Sequence, residues 1–498
     1  MSDDLRAKAA EATALLEALA ENPRLLADLP EEERHRLMIA AGQVSRPERD
    51  AHRAMRKALR KKARDEIRRS DENVLESTGI REARRAPVFT APPLLPTIEA
   101  ARTGEEGPEL REARKCYVCK APFTKVHPFY DQMCGACAEL NYRKRHQTCD
   151  LRGRFALITG ARVKIGYHAA LKLLRAGCHV LVTTRFPRDA AARYAREEDF
   201  ESFRNRLEVH GLDLRHTPSV EAFCHHLLER LPRLDFILSN ACQTVRRPPG
   251  FYEHLMEEEL GAPAEHLRPL LASHEDLRAH RLRDGLAVRD RLAREAGLLA
   301  SAELSQLPLL PEDGGADLHL FPQGRLDADL QQIDLRTHNS WRLTLAEVPS
   351  VELLEVQLVN AVAPFVLNAR LKPLMLKVPT RDKHIVNVSA MEGQFYRAWK
   401  TDRHPHTNMA KAALNMMTRT SAPDYAKDGI HMNSVDTGWI TDEDPIEIAN
   451  RKVDVHGFSP PLDVVDGAAR IVDPIFDGFL TGEHRFGLFL KDYAPAPW

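Results

Sequence analysis

Four cysteines in this chain have the spacing of two metal-binding knuckles. Cys116 and Cys119 form one Cys-x-x-Cys pair, and Cys134 and Cys137 form a second, with residues 120–133 between the pairs. Four thiolates suit a tetrahedral zinc ion, and a site with four protein ligands has no open position for chemistry. The alternative, four unrelated cysteines, fits this regular spacing poorly. The sequence therefore predicts a structural zinc module.

A second chemical feature is a glycine-containing turn between a strand and a helix. Phe155–Thr159 is a short apolar run that predicts a strand, residues 160–166 contain Gly160 and Gly166, and residues 167–177 have a helical pattern. Glycines in such a turn allow the backbone to approach a pyrophosphate, and the helix N-terminus offers free N–H groups to it. The order of strand, turn and helix predicts a dinucleotide site.

The third feature surrounds Lys411. Residues 408–420 and 424–441 resemble the active-site helix and the following strand of the short-chain dehydrogenase/reductase family. The family has a tyrosine four residues before this lysine, so that both side chains share one helical face. In the family the lysine lowers the pKa of the tyrosine and hydrogen-bonds the nicotinamide ribose. Thr407 occupies the tyrosine position here, so the chain resembles a nicotinamide-dependent reductase without its usual proton donor.

The resemblance extends from about residue 150 to the C-terminus and implies a set of cofactor contacts. Lys164 replaces the middle glycine of the family turn, Asp213 lies at the usual adenine edge, and Asn240 belongs to a variant of the family's Asn-Asn-Ala-Gly motif. Thr441 falls where the family binds the nicotinamide carboxamide. The implied cofactor contacts are Thr159, Gly160, Arg162, Lys164, Ile165, Gly166, Arg185, Asp213, Asn240, Ala241, Lys411 and Thr441.

The residues after the second predicted strand indicate which cofactor is used. Members of the family that prefer NAD usually end this strand with an acidic residue, whereas Thr184 is followed here by Arg185. Together with Arg162 in the turn, this pattern suits the 2′-phosphate of NADP, so NADP is favoured over NAD. The alternative is that both arginines are solvated surface residues.

The other catalytic positions of the family are only partly present. Asn360 matches the catalytic asparagine, but the usual serine aligns with Ala390, and Ser389 lies one place early on an extended chain, where a side chain points to the opposite face. Tyr396 and Lys400 repeat the Tyr-x-x-x-Lys spacing but lack the downstream match, so we interpret them as a coincidence. Imidazole titrates near pH 6.5, which makes histidines beside the tyrosine position candidate acids. The candidate catalytic residues are Lys411, Asn360, Thr407, Ser389 and His406.

The length of 498 residues and the sequence patterns predict several distinct structural regions. The predicted fold class is α/β, with a doubly wound Rossmann-type parallel sheet preceded by an α-helical region and the small zinc module. The predicted divisions are an α-helical region at 1–85, a proline-rich linker at 86–110, the zinc module at 111–149, and the Rossmann domain at 150–498 with an insertion at about 245–349. An insertion after the fourth strand is well placed to cap a substrate pocket or to dock a partner.

Charge and composition limit the kinds of partner that this chain is expected to bind. The net charge of −1 gives no global attraction to nucleic acid, although residues 46–69 are strongly basic and form either a solvated helix or a surface for an acidic partner. We expect a small-molecule substrate and a homo-oligomer, with a possible protein partner on the N-terminal helices or the insertion, and nucleic acid as a less favoured alternative. We found no apolar run long enough for a membrane and expect a cytoplasmic protein.

Two functions remain open from the sequence. The first is an atypical NADP(H)-dependent oxidoreductase acting on a carbonyl or hydroxyl substrate, with Thr407 in place of tyrosine and Ala390 in place of serine. The second is a non-catalytic protein of the same fold that binds NADP and acts as a scaffold or sensor for a protein partner. The presence of Asn360 and Lys411 favours the enzyme, because a catalytically inactive fold has no chemical need for either.

Overall fold

The computed structural model describes residues 3–90, 107–282, 295–314, 318–397, 400–441, 443–448, 451 and 459–498, arranged as two compact units. The first unit, Met1–Asn73, contains α1 (Asp3–Glu21), α2 (Glu31–Ser45) and most of α3 (Arg49–Glu76). These helices confirm the predicted helical region. The basic side chains of α3 are predominantly exposed to solvent.

The second unit, Val74–Trp498, is built on an eight-stranded sheet with the order β10-β9-β8-β7-β6-β3-β4-β5. Strands β3 to β9 are parallel, and β10 is an antiparallel edge. The sheet strands are β3 (Phe155–Thr159), β4 (His179–Thr184), β5 (Leu207–Gly211), β6 (Phe236–Ser239), β7 (Lys383–Ser389), β8 (Ile430–Asp436), β9 (Phe489–Lys491) and β10 (Ala494–Ala496). This order confirms the predicted doubly wound fold, and the direction of winding reverses between β3 and β6.

Helices cover both faces of this sheet. The helices of the second unit are α4 (Gly79–Arg85), α5 (Gly135–His146), α6 (Lys164–Arg175), α7 (Pro187–Ala195), α8 (Phe200–Phe203), α9 (Thr217–Arg230), α10 (Glu253–Leu260), α11 (Arg268–Leu282), α12 (Ser301–Leu304), α13 (Ser350–Gln357), α14 (Ala363–Met375), α15 (Pro405–Lys427) and α16 (Val464–Thr481). Alternate residues of β3 point to opposite faces, so Ile158 packs in the core with α6 and α16 while Leu157 packs with α9 and α14. Strands buried on both faces explain the continuous apolar runs in the sequence.

The cysteine-containing segment packs directly on the sheet domain. It consists of the antiparallel strands β1 (Glu109–Lys115) and β2 (Pro122–Lys125), followed by α5. Its core includes Tyr130 and Met133 and continues into Leu462 and Val465 at the start of α16. We call this segment, residues 109–146, the cysteine module. Because a two-stranded ribbon is marginally stable alone, the module depends on this contact.

Some boundaries differ from the sequence-based prediction. The second compact unit begins at Val74, so the end of α3 and all of α4 belong with the cysteine module rather than with the N-terminal helices. The strand β1 begins at Glu109, inside the predicted linker. The linker residues 91–106 lie outside the described residues. The contact between α4 and the module explains the shift, because Gly79 and Ile80 donate backbone hydrogen bonds to the carbonyls of Pro128 and Phe129.

One apolar segment differs from our expectation for membrane-spanning runs. Residues Ser350–Met375 are long and apolar enough to cross a membrane by length and composition, and 44% of the most apolar window is buried inside the protein. This segment comprises α13, a π-helical turn at Leu358–Val362 and α14. Leu367, Leu371 and Leu374 of α14 belong to the sheet core. A core helix meets the same criteria of length and composition, so the observation is weak evidence for a membrane.

The close approach of β3 and β6 generates a testable prediction about stability. Gly160 has a φ of +66°, and a Cβ atom there would lie 2.7 Å from Cα of Ala241. Gly153 has a φ of +75° but nothing within 4 Å of such a Cβ. We expect Gly153→Ala to cost about 1 kcal/mol of unfolding free energy from backbone strain, and Gly160→Ala to cost about 2–4 kcal/mol because overpacking adds to that strain. Chemical denaturation measures both, and equal losses would contradict the packing argument.

Candidate active site

The end of β3 is tied to the end of β6 by one amide side chain. Nδ2 of Asn240 donates to the carbonyl oxygens of Thr159 at 3.1 Å and Gly160 at 3.0 Å. In return, the hydroxyl of Thr159 accepts a hydrogen bond from the backbone N–H of Ala241 at 3.0 Å. These bonds fix both strand ends at the place where the sheet changes direction, which is where open α/β sheets bind ligands.

The glycine turn places the start of α6 beside this junction. A Cβ atom on Gly166 would lie 2.3 Å from Nδ2 of Asn240, so only glycine allows the helix to approach so closely. Lys164, in the position of the family's middle glycine, has a φ of +55°, which explains why glycine suits that position. The helix has no side-chain cap at Val163, so its first N–H groups are available to a phosphate.

A cleft of about 550 Å³ opens above this junction. Of the implied cofactor contacts, all but two line it: Gly160, Arg162, Lys164, Ile165, Gly166, Arg185, Asp213, Asn240, Ala241 and Thr441. Thr159 lies beneath the cleft as a buried support, and Lys411 is not part of its lining. The volume is in the range of small-molecule and cofactor sites. The structure therefore brings together residues that are up to 281 positions apart in the sequence.

Arginines surround one end of the cleft. Arg185 donates to the hydroxyl of Tyr252 at 2.7 Å, and its guanidinium lies 4.6 Å from the centre of the Tyr252 ring. Arg162 donates to Asp189 at 2.6 Å, and both guanidinium groups lie 5.6 Å from the centre of the Phe186 ring. Burial alone would raise the pKa of Tyr252, but the positive charges of Arg185, Arg162 and Arg247 outweigh it and lower the pKa. This end of the cleft is thus electropositive.

The other end of the cleft contains an acidic side chain that the sequence did not reveal. Glu443 accepts hydrogen bonds from the hydroxyls of Thr441 at 2.8 Å and Thr244 at 3.2 Å. Burial raises the pKa of Glu443, but the charge of Lys164, the hydrogen bond from Thr441 and the charge of Arg247 lower it overall. Thr441 therefore lies in the cleft, as the resemblance implied, with its hydroxyl bonded to a carboxylate. The only signal for Glu443 in the sequence is its position two residues after Thr441.

Asn360 lies on the π-helical turn and faces the backbone of the cleft. Its Oδ1 accepts from the N–H of Gln243 at 2.8 Å, and its Nδ2 donates to the carbonyl of Gln243 at 3.1 Å. Gln243 lines the cleft and also donates from Nε2 to Glu355 at 3.0 Å. The π-turn widens the helix locally, a device often found at functional sites. Asn360 thus holds the chain immediately after β6 in place.

Lys411 lies on α15 behind this part of the cleft. Its ammonium group donates to the carbonyl of Val388 in β7 at 2.8 Å, and the side chain is buried. Ser389, the next residue of β7, bonds to Oδ1 of Asn415 at 2.5 Å. Asn415 lies one helical turn beyond Lys411, so Ser389 faces the same helix, but its hydroxyl has a structural partner. Tyr396 is 47% exposed, and within the described part of the chain its hydroxyl has only the sulfur of Met391, at 3.9 Å, within hydrogen-bonding reach.

Buried polar atoms without partners concentrate at the start of α15. Thr407 is 2% exposed and its hydroxyl has no hydrogen-bond partner among the described residues. Both ring nitrogens of His406 are also without hydrogen-bond partners there, and Nε2 lies 3.8 Å from Oε1 of Glu352. Unpaired buried polar groups cost free energy and often mark a place for water or a ligand. The tyrosine position of the family is therefore a buried polar site with spare hydrogen-bonding capacity.

The environment of His406 differs from the sequence-based expectation of titration near pH 6.5. Burial first, and then the neighbouring charge of His404, lower the pKa of His406 to about 4. The ring is therefore neutral at neutral pH. Burial also raises the pKa of Glu352, whose carboxylate lies 3.8 Å from Nε2 of His406.

The insertion covers the start of α15. Trp341 stacks on His404, with ring centroids 3.9 Å apart and 7° between the planes. The backbone N–H of His404 also donates to the carbonyl of Leu343 at 2.9 Å. His404 has a φ of +43° and begins the helix just before Pro405. The end of the insertion therefore packs against the turn that leads to Thr407.

The arginines at the start of the insertion are paired with acids. Arg246 makes two hydrogen bonds of 2.6 Å to Asp313, and Arg247 contacts Asp334. Arg336 also donates to Asp334, at 2.7 Å. These pairs give Arg246 and Arg247 a role in bracing the insertion. Their charges still contribute to the potential of the cleft.

The four cysteines of the module come together. One Sγ atom from each of Cys116, Cys119, Cys134 and Cys137 lies within 4.8 Å of the others, and Sγ of Cys119 is 3.6 Å from Sγ of Cys134. Thiolates at about 2.3 Å from a tetrahedral zinc ion lie roughly 3.8 Å apart. All four are free thiols at distances unlike a disulfide of about 2.05 Å. The geometry fits the predicted donor set.

Comparisons with known proteins agree with this architecture. The family model for short chain dehydrogenases matches residues 154–259, and the model for Enoyl-(Acyl carrier protein) reductase matches residues 325–454. An uncharacterized protein, R665, of Acanthamoeba polyphaga mimivirus is 31% identical over 379 residues, which is 73% of this chain and 71% of that protein. The chain belongs to the short-chain dehydrogenase/reductase family. The unmatched interval between the two family models falls within the insertion.

Relatives with assigned names match a smaller part of the chain. Dehydrogenase/reductase SDR family member 13 of Bos taurus is 34% identical over 128 residues, which is 25% of this chain and 31% of that protein. Human retinol dehydrogenase 14 is 33% identical over 127 residues, or 22% and 38% of the two chains. The chain thus matches about a third of each of these relatives. A Pseudomonas aeruginosa RhlG/NADP active-site complex is 17% identical, with a TM-score of 0.43, and covers 68% of this chain and 95% of that one.

The lowered pKa of His406 predicts a dependence of stability on pH. Its folded-state pKa of about 4 is below the usual value of 6.5, so protonation favours the unfolded state and stability falls as the pH decreases below 6.5. This residue alone should contribute about 2 kcal/mol of that fall by pH 5. We therefore expect His406→Gln to flatten the dependence of unfolding free energy on pH between 7 and 5. His52→Gln, at an exposed position of α3, is the control. Parallel curves for wild type and His406→Gln would refute the assignment.

Proposed function

We propose that the protein is an NADP(H)-dependent oxidoreductase acting on a carbonyl or hydroxyl substrate, with a non-standard catalytic centre. The observation that carries this proposal is the direct link between the cleft and Asn360, which stands at the position of the family's catalytic asparagine. Asn360 holds the backbone of Gln243, a residue that lines the cleft, through two hydrogen bonds of 2.8 and 3.1 Å. Lys411 is retained, whereas Thr407 stands in the tyrosine position and Ala390 in the serine position.

The residues of the cleft fit a dinucleotide. Gly160 and Gly166 leave room for close approach, and the uncapped start of α6 presents N–H groups toward the place of a pyrophosphate. Arg185 has no carboxylate within ion-pair distance among the described residues, so it is available for a 2′-phosphate. Arg162 shares its charge with Asp189 and would contribute less. When bound, the cofactor would supply or accept a hydride.

The proton must come from a group other than tyrosine. An unassisted threonine hydroxyl is a poor acid near neutral pH, so Thr407 would serve better as a relay than as the source. Its unpaired hydroxyl and the unpaired nitrogens of His406 could hydrogen-bond a water molecule near Lys411, which lies one helical turn after Thr407. We propose that Lys411 orients this relay, in which a water molecule supplies the proton, Thr407 passes it on, and the neutral ring of His406 serves as a hydrogen-bond partner. Ser389, bonded to Asn415, supports the helix.

A second candidate function is a non-catalytic protein that binds NADP as a structural or sensing ligand. The observation that favours it is the burial of Lys411 and Thr407, neither of which lines the cleft. The insertion that packs over His404 would then present a surface to a protein partner, as would the N-terminal helices. Homo-oligomerisation and a cytoplasmic location are further parts of this proposal and of the preferred one.

We also propose that the cysteine module binds one structural zinc ion. The four thiols fit the tetrahedral donor set, and all of the ligand positions would be filled by protein, so the ion would take no part in the reaction. The module has only two short strands and one helix of its own, so metal binding would contribute directly to its folding.

The cofactor proposal predicts a preference that depends on Arg185. We expect tighter binding of NADPH than of NADH by calorimetric titration. Arg185→Ala should weaken NADPH binding by about ten- to a hundredfold through loss of charge-assisted hydrogen bonds, with little effect on NADH. Arg204→Ala removes an exposed arginine from a short helical turn outside the cleft and is the matched control. Equal wild-type affinities, or unchanged NADPH binding by Arg185→Ala, would remove the assignment.

The zinc proposal predicts the metal content of the protein. Elemental analysis of protein purified without added metal should find one zinc per chain. Cys119→Ser should lose the ion and lower the melting temperature, because the module loses its central cross-link. Cys149→Ser, a substitution outside the cluster, should retain it. A metal-free wild type, or a disulfide among the four cysteines, would contradict the proposal.

A further inference from the structure

The cysteine module touches the chain that carries Thr441. This chain leaves β8 at Asp436 and enters α16 at Val464. Two parts of it are relevant: residues 437–441, which we call the first loop segment, and residues 459–463, the second loop segment.

Tyr117 makes the contact with the first loop segment. It lies between two of the predicted zinc ligands, Cys116 and Cys119, so its backbone belongs to the knuckle itself. Its hydroxyl accepts a hydrogen bond of 3.0 Å from the backbone N–H of Trp439. A Cβ atom on Gly438 would lie 3.2 Å from the same hydroxyl oxygen, so the segment packs closely against this hydroxyl. Trp439 is two residues from Thr441 in the cleft.

Gln132 makes the contact with the second loop segment. Its Nε2 donates to the carbonyl of Ser459 at 2.9 Å. Its own carbonyl accepts from the backbone N–H of Tyr117 at 2.8 Å, so the two contacts meet at one point of the module. The module therefore holds the chain both where it leaves the sheet and where it returns to α16.

A buried ionic network fixes the return of the chain. Arg145 at the end of α5 donates to Asp463 at 2.6 Å and to Asp466 at 3.0 Å. The hydroxyl of Tyr130 donates to Asp466 at 2.5 Å. Asp463 and Asp466 form the capping box of α16, so side chains of the module complete the start of that helix. Because removal of one member would leave a buried charge unpaired, breaking this attachment would cost stability.

The first loop segment also contacts the glycine turn. A Cβ atom on Gly467 of α16 would lie 2.3 Å from Cδ1 of Ile440 and 3.2 Å from Cγ1 of Ile165. Ile440 is the residue before Thr441, and Ile165 is in the first turn of α6 and lines the cleft. The path from the knuckle to the cofactor site therefore runs through Tyr117, Trp439 and Ile440, and Ile440 and Ile165 share one apolar cluster around Gly467.

We propose that the zinc-bound cysteine module positions the nicotinamide-binding segment of the cleft, with Tyr117 as the positioning residue. The four metal ligands fix the turn that presents the Tyr117 hydroxyl, and this hydroxyl fixes the backbone two residues before Thr441. Loss of zinc, or of the hydroxyl alone, releases the first loop segment and weakens the binding of the nicotinamide cofactor. This inference rests on the zinc site and on the cofactor proposed above.

The test compares single hydroxyl deletions within the module. Tyr117→Phe removes the contact with Trp439, whereas Tyr142→Phe removes a hydroxyl that makes no hydrogen bond to a described residue. Gln132→Leu removes the contact with Ser459 and provides a second, independent variant. For each protein we would measure zinc content, hydrogen–deuterium exchange in the peptide containing Trp439, and the Kd for NADPH.

We expect Tyr117→Phe to keep one zinc, to exchange the Trp439 amide at least about tenfold faster, and to bind NADPH about three- to tenfold more weakly. Zinc removal by chelation should accelerate the same amide further, and Gln132→Leu should accelerate exchange in residues 459–463. Tyr142→Phe should match the wild type in all three measurements. Unchanged Trp439 exchange in Tyr117→Phe and in the zinc-free protein would overturn the proposal.

NADPH binding by the wild type tests the proposed cofactor, whereas exchange at Trp439 tests the positioning role separately. If the wild type binds no NADPH, the cofactor proposal fails, and exchange at Trp439 still decides whether the module positions the loop segment. If NADPH binds tightly and Tyr117→Phe changes neither exchange nor affinity, the cofactor proposal stands and the positioning role fails.

Discussion

The structure depends on the close packing of the β3 turn against the end of β6. The amide of Asn240 donates to the carbonyls of Thr159 and Gly160, and no side chain larger than hydrogen fits at Gly160 or Gly166 without displacing atoms. This junction sets the distance between the two halves of the sheet and turns the start of α6 toward the cleft. The junction also fixes the direction in which the chain leaves β6. This direction brings Gln243, a few residues after β6, into hydrogen-bonding contact with Asn360.

Two additions to the family fold, the insertion and the cysteine module, pack against the sheet domain. The insertion contributes Tyr252 to the electropositive end of the cleft and stacks Trp341 on His404 beside the tyrosine position. The cysteine module contacts the chain that carries Thr441, through Tyr117, and the start of α16, through Arg145. The region around Thr407 is buried, which separates the proposed proton relay from bulk solvent.

Local sequence patterns predicted the sheet, the glycine turn and the cysteine cluster, because the residues that define each pattern are close together in the chain. It also indicated that Ser389 lies one place before the family's serine position, and in the structure its hydroxyl bonds to Asn415. It could not predict the low pKa of His406, which arises from burial against distant segments, or the carboxylate of Glu443 beside Thr441. The arginines of the insertion had no visible partners in the sequence, since Asp313 and Asp334 lie 67 and 87 residues away from them. Long-range pairing of this kind leaves no periodic signal.

The most direct test of the account is NADPH oxidation by the full-length protein against a panel of aldehydes and ketones, compared with Lys411→Met and with Lys427→Met. Lys427 lies on the same helix but has a side chain that is 78% exposed, so its substitution controls for loss of a lysine on α15. The account predicts turnover of at least one carbonyl class by the wild type and Lys427→Met, and a loss of about a hundredfold or more in Lys411→Met, because in the proposed mechanism the lysine orients the proton relay. Tight NADPH binding without turnover of any carbonyl, or full activity in Lys411→Met, would contradict it.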